Sequence, residues 1–372
     1  MENGIHILGL GNLGKYVALA LRRNQQTTVT VPRQFSPVTL IFHRKGLLED
    51  WEREDRSIRY YTPDCLEIRP GPPIEKFRAT GFRVECLGNA NGANHGVENN
   101  PPVIIGSKSP IKHLIVTTKT YATAAALAPI KDRLSKNSHI LFLQNGIGVT
   151  DEVSNKLFPD PETRPTYWAG ICSAGVYSTS PFSIVHAGYG PLMMGVVGIQ
   201  STRDSPHAGE DYMASQFLKT GLLQTTLLSP EQIVHAQLKK LVINAIINPL
   251  TACFNCKNGQ VFEGDERQTL YRNLLQEAGA IVRDLLPQPN SLRETVFSDQ
   301  ALSTLVEEVA EKTANNTSSM LQDVQAGRRT EINYINGYLV SQGKRLGLPT
   351  THHEAVYETI KALEDGHPEP PV

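Results

Sequence analysis

A lysine and two asparagines recur every four residues in a segment that is otherwise almost wholly apolar. Residues 239–250 have the sequence KKLVINAIINPL, in which Lys240, Asn244 and Asn248 are the polar residues at that spacing. A helix brings residues four apart onto one face, so these side chains form a polar stripe. Burying a lysine and two amides costs free energy unless they find partners, which makes the stripe a candidate ligand site lining a cleft. A helix whose polar face simply meets solvent is the other interpretation.

The glycines of the sequence GLGNLG have the spacing of a phosphate-binding loop. They follow a short apolar run at residues 4–8 and precede a helix-like stretch at 13–23. In this strand, loop and helix context, the glycines permit a tight turn, a close approach of a pyrophosphate and close helix packing. The loop predicts dinucleotide binding, while a purely structural turn is the alternative. The candidate cofactor-binding residues are Gly9, Leu10, Gly11, Asn12, Leu13 and Gly14.

The charges that follow this loop favour NADP over NAD. An NAD site usually has an acidic residue about twenty positions beyond the loop, but between Glu2 and Glu49 the chain has none. An arginine at the end of the second strand suits a 2′-phosphate, so a strand at 38–42 followed by Arg44 and Lys45 predicts an NADP clamp. If the run at 27–31 is the second strand instead, Arg33 takes this role. The alternative is that these basic residues only form a solvent-exposed face.

The elements that must position these residues alternate between strand and helix. Apolar, β-branched runs at 113–118 and 139–143 flank a helical stretch at 121–134, and the second run ends in Gln144, Asn145 and Gly146. This alternation predicts a parallel, doubly wound sheet. Residues 167–198 have the short, glycine-punctuated runs of closing edge strands. Between 47 and 110 the pattern weakens, and the Gly-, Asn- and Pro-rich residues 88–102 predict a surface insertion.

After about residue 218 the sequence pattern changes to that of long amphipathic helices. Helical periodicity covers residues 230–248, 264–286, 298–325 and 329–346. We therefore predict an α/β plus α chain of two domains. Residues 1–218 form an N-terminal dinucleotide-binding domain of the Rossmann type, with an insertion within 47–110. Residues 219–372 form an all-helical domain for substrate binding and catalysis.

Composition excludes several classes of protein. The 372 residues carry 36 Lys and Arg against 37 Asp and Glu, so no global field attracts nucleic acid or an acidic membrane. Apolar runs are too short to cross a bilayer, and the N-terminus begins a strand where a targeting segment would lie. Five unevenly spaced cysteines do not form a disulfide framework. We expect a cytosolic protein.

No metal site is predicted. Cys253 and Cys256 form a single CxxC with neither a second CxxC nor a histidine pair nearby, so we expect two idle thiols. The adjacent His352 and His353 lack a partner at i+4, and we expect both at the surface.

Six strings in the chain resemble a known family. GLGNLG, TTKTY, LQNGIG, KKLVINAIINPLTA, NTSSMLQDV and RTEINYINGYL occur in the order typical of the ketopantoate reductases (2-dehydropantoate 2-reductases), over residues 4–346. The resemblance implies a Rossmann domain followed by a helical domain, with the active site in the cleft between them. This chain departs from the family pattern in extra residues between 29 and 37 and in the insertion within 47–110.

The resemblance also assigns roles to individual residues. Lys240 matches the catalytic lysine and Glu331 the active-site glutamate, while Arg44 matches the arginine that binds the 2′-phosphate. Lys119 and Asn145 match residues near the nicotinamide and the substrate, at the strand ends where open α/β sheets place ligands. The residues that match substrate contacts are Asn145, Asn244, Asn248 and Ser319.

The implied reaction is NADPH-dependent reduction of 2-dehydropantoate to (R)-pantoate. Hydride goes to the C2 ketone, and Lys240 stabilises the developing oxyanion and donates the proton. Glu331 accepts a hydrogen bond from the hydroxyl group of the substrate or product. An equally good interpretation is a carboxylate at a helix start that interacts with the helix dipole. The alternatives are reduction of another branched 2-oxo acid or ketone, and a non-catalytic NADP-sensing protein. The expected partner is the small-molecule 2-oxo acid substrate, and a homodimer is one possible assembly.

Overall fold

The computed structural model describes residues 4–27, 38–66, 75–87, 103–198, 211–286 and 293–366. The chain divides into two compact units, each considered separately below. The sheet unit comprises Met1–Gln144 with Thr150–Ile233, and the helical unit comprises Asn145–Val149 with Val234–Val372.

The sheet unit contains a nine-stranded sheet. Its strands are β1 (Ile5–Leu8), β2 (Val38–Phe42), β5 (Arg83–Cys86), β6 (Val103–Ile105), β7 (His113–Val116), β8 (His139–Phe142), β9 (Thr166–Cys172), β12 (Leu192–Val197) and β13 (Thr226–Leu227). Their order in the sheet is β13-β12-β9-β8-β7-β1-β2-β5-β6. All neighbouring pairs are parallel except β9 and β12, which are antiparallel. This is the predicted sheet with alternating helices.

Strand β2 resolves which run follows the first helix. Every residue of β2 is buried, and Val38 pairs with Ile5 of β1. Strands covered on both faces are nearly continuous apolar runs, as VTLIF is. Thr27 ends the first helix, so the alternative run at 27–31 begins inside a helix, and its residues 28–31 lie outside the described residues.

A second, four-stranded sheet was not predicted. Its strands are β3 (Ile58–Tyr61), β4 (Phe77–Ala79), β10 (Gly175–Tyr177) and β11 (Ser183–Gly188), and their order is β10-β11-β3-β4. The sheet forms because β3 pairs with β11 across a long separation in sequence, with Ser183 opposite Arg59. Residues 167–198 therefore supply strands to two sheets, not one closing set.

Much of the weakly patterned region contributes to the core of the sheet unit. Trp51, Ile58 and Phe82 are almost completely buried in its hydrophobic cluster. The predicted surface insertion at 88–102 lies outside the described residues. The α-helices associated with this unit are α1 (Asn12–Thr27), α2 (Lys45–Arg53), α3 (Thr123–Leu127), α4 (Val149–Leu157) and α5 (Tyr212–Leu218).

The helix predicted at 121–134 in the sheet unit is divided into shorter helices. Residues 121–134 do not form one α-helix, because α3 is flanked by 3₁₀ helices at Thr120–Ala122 and Ala128–Arg133. Pro129 lies at the start of the second 3₁₀ helix, where a proline limits the backbone hydrogen bonding that a longer α-helix needs.

The helical unit packs around one hydrophobic cluster. The predicted helix at 298–325 is two helices, because residues 313–315 form a turn, residues 316–318 are irregular, and Ser318 is a new N-cap. The predicted helix at 329–346 begins later, at Asn336, and the final helix was not predicted. The α-helices are α6 (Pro230–Phe254), α7 (Asp265–Leu285), α8 (Asp299–Lys312), α9 (Ser319–Gln325), α10 (Asn336–Leu346) and α11 (Thr351–Asp365).

Within the described ranges, no helix combines the length and the apolar character that crossing a membrane requires.

Candidate functional site

The glycine loop has the backbone that its sequence predicts. Gly9 has a φ of +96°, and a Cβ at this position would lie 2.5 Å from the backbone nitrogen of Thr118. A Cβ on Gly14 would collide with the carbonyl oxygen of Gly9, so the start of α1 reaches the loop only without a side chain there. Gly11 is exposed, and a Cβ on it would meet no protein atom within 4 Å. These positions fit a pyrophosphate bound at the N-terminus of α1.

Lys15 is connected to the glycine loop through Ser178. Sequence analysis did not predict this role for Lys15. Its side chain is only 6% exposed, and Nζ donates a 2.7 Å hydrogen bond to Ser178. The Ser178 hydroxyl in turn donates to Oδ1 of Asn12, at 2.7 Å. Burial lowers the pKa of Lys15 to about 8. A lysine directly after GxGxxG was the available signal, but its partner is 163 residues away and no local pattern reveals it.

Arg44 lies where a 2′-phosphate clamp was predicted. It is the N-cap residue of α2, its side chain is exposed, and it follows the carboxyl end of β2 by two residues. Since β2 is the direct neighbour of β1, which leads into the glycine loop, this arginine and the loop share one edge of the sheet. Arg33, the alternative, lies outside the described residues.

Lys119 lies at the end of the strand on the other side of β1. It is half-buried and is the N-cap residue of the 3₁₀ helix that follows β7. The segment before it is bonded to the glycine loop, because Thr117 donates its backbone N–H to Leu8 at 2.9 Å and its hydroxyl to the Gly9 carbonyl. The loop, Arg44 and Lys119 therefore come from three adjacent strand ends, which is where open α/β sheets bind ligands.

In the helical unit, the last four residues of the LQNGIG string, 145–148, pack against the RTEINYINGYL string. Nδ2 of Asn145 donates a 3.1 Å hydrogen bond to Oε2 of Glu331. The backbone N–H of Ile147 donates to the Tyr334 carbonyl at 2.9 Å, and a Cβ on Gly146, whose φ is +83°, would collide with that carbonyl. The glycine is required for this close approach. Asn145 and Glu331 are thus brought together next to a backbone contact between residues 146–147 and Tyr334.

The side chain of Glu331 does not cap the helix that it precedes. It is the N-cap residue of the 3₁₀ helix Ile332–Tyr334, makes no side-chain capping bond, and is 7% exposed. Its carboxylate accepts from the Asn145 amide instead. The role of Glu331 as a site carboxylate therefore stays a prediction, next to the alternative of an interaction with the helix dipole.

The polar stripe lies on α6 as its spacing predicts. Lys240 and Asn244 are half-buried, and Asn248 is 8% exposed. The apolar residues Leu241, Val242 and Ala245 of the same segment are buried in the core of the helical unit. The stripe is therefore the polar side of a mostly buried helix, as a ligand site on an apolar helix requires.

Two residues that were not predicted connect the stripe to Ser319. The hydroxyl of Thr251 donates to the Asn248 carbonyl at 2.8 Å and lies 2.6 Å from the hydroxyl of Ser318. The Ser318 hydroxyl also accepts from the backbone N–H of Leu321, at 3.1 Å. Ser319, the exposed first residue of α9, is thereby held beside the Asn248 end of α6. The SS pair in NTSSMLQDV was the only signal for an N-cap there.

Burial characterises one cysteine and one histidine that lie outside these regions. Burial raises the pKa of Cys253 to about 11, and all five cysteines are free. In the part of the chain that the structure describes, no group of three His, Cys, Asp or Glu side chains lies close enough to hold a metal ion. The surface location predicted for His353 is wrong, because the residue is 0% exposed.

Comparison with known proteins gives full-length matches. The family described as ketopantoate reductase PanE/ApbA matches residues 5–198, and the corresponding C-terminal family model matches residues 232–364. A probable 2-dehydropantoate 2-reductase of Schizosaccharomyces pombe is 34% identical over 97% of this chain and 97% of its own. A ketoisovalerate reductase of Gibberella fujikuroi is 28% identical over 98% of this chain and 84% of its own.

Solved structures match over the same extent. A probable 2-dehydropantoate 2-reductase from Bacillus subtilis is 25% identical, with a TM-score of 0.68 over 97% of this chain and 100% of its own. D-mandelate dehydrogenase, solved with NADH and anilino(oxo)acetate, is 18% identical, with a TM-score of 0.70 over 98% of this chain and 99% of its own. The second of these likenesses concerns the fold alone.

Proposed function

The chain belongs to the ketopantoate reductase family, and on that premise we propose that it is the oxidoreductase that reduces 2-dehydropantoate to (R)-pantoate with NADPH. The observation that carries this proposal is the likeness to the Schizosaccharomyces pombe relative, which extends over nearly the whole of both chains. As part of the proposal, residues 1–218 bind the dinucleotide and residues 219–372 carry the substrate chemistry.

The roles of the site residues follow from their chemistry and surroundings. NADPH supplies the hydride when bound. Nζ of Lys240 donates a proton to the substrate carbonyl oxygen and stabilises the negative charge that develops there. Glu331, oriented by the Asn145 amide, accepts a hydrogen bond from the hydroxyl group of the product. The amides of Asn244 and Asn248 and the hydroxyl of Ser319 hold the rest of the acid.

The preference for NADPH rests on the edge of the sheet beside the glycine loop. Arg44 follows the strand next to β1, and the chain has no acidic residue between Glu2 and Glu49. A guanidinium binds a 2′-phosphate through charge-assisted hydrogen bonds, whereas a ribose 2′-hydroxyl is normally held by a carboxylate. Lys119 completes the proposed cofactor site near the nicotinamide.

A second substrate is supported by one of the relatives. The Gibberella fujikuroi protein is named for ketoisovalerate, which is also a branched 2-oxo acid, and it matches this chain nearly from end to end. The two acids share the carboxylate and the C2 ketone, so the stripe on α6 and Glu331 would serve either. They differ in the hydroxymethyl group that 2-dehydropantoate carries.

The test is NADPH oxidation followed at 340 nm with a panel of 2-oxo acids. We expect kcat/KM for 2-dehydropantoate to exceed that for ketoisovalerate at least about tenfold, because a site built to hydrogen-bond a hydroxyl group rejects analogues that lack it. The reverse order would favour the ketoisovalerate reductase. Stoichiometric NADPH binding without turnover of any member of the panel would favour the NADP sensor.

The cellular setting of this activity is also proposed. We propose that the enzyme is cytoplasmic and forms a homodimer. Light scattering coupled to size-exclusion chromatography measures the second of these, and a monomer mass of 41.0 kDa would contradict it.

A further inference from the structure

Helix α6 contains a proline directly after the last residue of its polar stripe. The helix runs from Pro230 to Phe254 and continues through Pro249, which directly follows Asn248. Proline has no backbone N–H, so the carbonyl four residues earlier, that of Ala245, loses its donor within the helix. Ala245 is 0% exposed. A buried carbonyl without a donor costs free energy comparable to a lost hydrogen bond, so this carbonyl needs a substitute.

The substitute comes from the side chain of Asn336. Its Nδ2 donates a 2.9 Å hydrogen bond to the Ala245 carbonyl oxygen. Asn336 is 0% exposed and is the first residue of α10. The amide N–H therefore replaces the backbone N–H that Pro249 lacks.

A buried histidine holds the amide in the orientation that this bond requires. Nδ2 of Asn336 lies 3.0 Å from Nδ1 of His353, while Nε2 of His353 lies 3.0 Å from the Leu274 carbonyl. A carbonyl can only accept, so Nε2 carries the proton and Nδ1 accepts from Asn336. Burial lowers the pKa of His353 to about 4, which keeps this neutral form at physiological pH. The two protons of the Asn336 Nδ2 group are thus donated to the Ala245 carbonyl and to Nδ1 of His353.

This contact joins the two strings that carry the proposed chemistry. Ala245 lies between Asn244 and Asn248 on α6. Asn336 follows Glu331 by five residues, and the 3₁₀ helix Ile332–Tyr334 occupies most of that interval. The hydrogen bond therefore links the helix turn that carries the asparagines to the segment that carries the carboxylate.

We propose that Asn336 is a positioning residue, which replaces the donor missing at Pro249 and thereby sets the stripe on α6 relative to Glu331. The inference rests on the proposed function, because the geometry that Asn336 sets is that of the reductase site. Asn336 touches neither substrate nor cofactor in this role. It acts through Asn244, Asn248 and Glu331.

The experiment is a cycle of four proteins with one matched control. They are the unmutated chain, Asn336→Ala, Pro249→Ala and the double variant, and the control is Asn258→Ala. Asn258 is also a buried asparagine of the helical unit, 8% exposed, whose Nδ2 donates to Thr313 at 2.9 Å. For each protein, folded sites are counted by NADPH-binding stoichiometry, and kcat and KM for the 2-oxo acid are expressed per folded site.

Asn336→Ala should lower kcat/KM about tenfold to a hundredfold, because small displacements of positioning groups have effects of this size. The NADPH dissociation constant should change less than about twofold, because the dinucleotide is bound by the sheet unit. In the Pro249→Ala background, where residue 249 again has an N–H for the Ala245 carbonyl, the same change should cost less than about threefold. Such non-additivity indicates that the two residues serve one carbonyl. Asn258→Ala should leave kcat/KM per folded site unchanged.

Two results would overturn the inference while leaving the function intact. One is an active unmutated enzyme with unaltered kcat and KM in Asn336→Ala. The other is an equal loss in both backgrounds. If Asn336→Ala does not fold, the double variant decides, since it must fold and retain activity if the restored N–H replaces the amide. An unmutated chain that binds NADPH but reduces no 2-oxo acid overturns the proposed function itself, and this inference with it.

Discussion

The side-chain amide of Asn145 donates a 3.1 Å hydrogen bond to Oε2 of Glu331, which lies 186 positions further along the chain. The amide comes from the loop after β8, and the carboxylate comes from the turn before α10. Glu331 is almost completely buried, so a hydrogen-bond donor is needed to orient and stabilise its charge. The pair is the clearest link between two strings that sequence analysis could only treat separately.

Asn145→Asp should convert this attraction into repulsion. A carboxylate in place of the amide faces Glu331 and the anionic substrate together, so kcat/KM at pH 8 should fall by at least about a hundredfold, equivalent to roughly 3 kcal/mol. Asn145→Ala, which removes the donor without adding charge, should lose less. Steady-state kinetics of both variants measure the difference. Equal losses would show that charge next to Glu331 does not matter.

Arg44→Ala should weaken NADPH binding about tenfold to a hundredfold, because a charge-assisted hydrogen bond contributes roughly 1.5–3 kcal/mol. NADH binding should change little, since NADH has no 2′-phosphate. Arg53→Ala is the matched control, because Arg53 lies on the same helix α2 but at its other end and is ion-paired with Asp50. Fluorescence titration with both nucleotides measures the dissociation constants. Equal affinity of the unmutated protein for the two nucleotides would contradict an NADP clamp.

Local signals in the sequence predicted the elements whose structure is decided locally. The glycine loop has a strand before it and a helix after it, and each feature is visible within fifteen residues of Gly9. The stripe on α6 follows from the helical period alone, so Lys240, Asn244 and Asn248 could be placed on one face without any tertiary information.

Features made by distant pairings could not be found in this way. The four-stranded sheet depends on Arg59 pairing with Ser183, and neither short strand has a distinctive period of its own. His353 was expected at the surface because it has no histidine partner at i+4, whereas its actual partners Asn336 and Leu274 lie 17 and 79 positions away. Thr251 and Ser318 escaped notice for the same reason, since their contact spans 67 positions.

His113 should make the fold sensitive to acid. It is 1% exposed, and within the described residues its ring nitrogens have no hydrogen-bond partner. Burial lowers its pKa to about 4, an effect that the charge of Asp211 opposes and that His139, Lys112 and His6 reinforce. In the unfolded chain a histidine has a pKa of about 6.5. The folded state therefore disfavours protonation, so stability is fully present above pH 6.5 and is lost as pH falls toward 4.

His113→Leu should remove this sensitivity. Between pH 7.5 and pH 5, the unmutated protein should lose about 2 kcal/mol of unfolding free energy through His113, and the variant should lose that much less. Urea denaturation of both proteins at the two pH values gives the comparison. The same dependence on pH in both proteins would show that His113 takes up its proton equally well in the folded and unfolded states.

Thr251→Val and Ser318→Ala should each raise the KM for the 2-oxo acid, because the contact between their hydroxyls holds Ser319 beside the end of the stripe. Each should also lower the unfolding free energy by about 1–2 kcal/mol through the loss of a buried hydrogen bond or an N-cap. Ser298→Ala is the control. It removes the N-cap of α8, which accepts from Ala301 at 3.2 Å, so it should lower stability without changing KM. A KM shift as large in this control would mean that lost stability alone explains the effect.

Lys240→Ala is the decisive variant for the proposed mechanism. If the ammonium group acts on charge that develops only in the transition state, kcat should fall by at least about a hundredfold, because a positioned acid or oxyanion donor typically contributes that much. NADPH affinity should barely change. Lys239→Ala is the matched control, because Lys239 is the adjacent residue and its Nζ lies 5.9 Å from the Phe297 ring, in the helical core. A lysine that only binds substrate would instead give a raised KM and an unchanged kcat. If the Lys240→Ala protein is folded, binds NADPH normally and turns over 2-oxo acid at the unmutated rate, the stripe on α6 is only a solvated helix face.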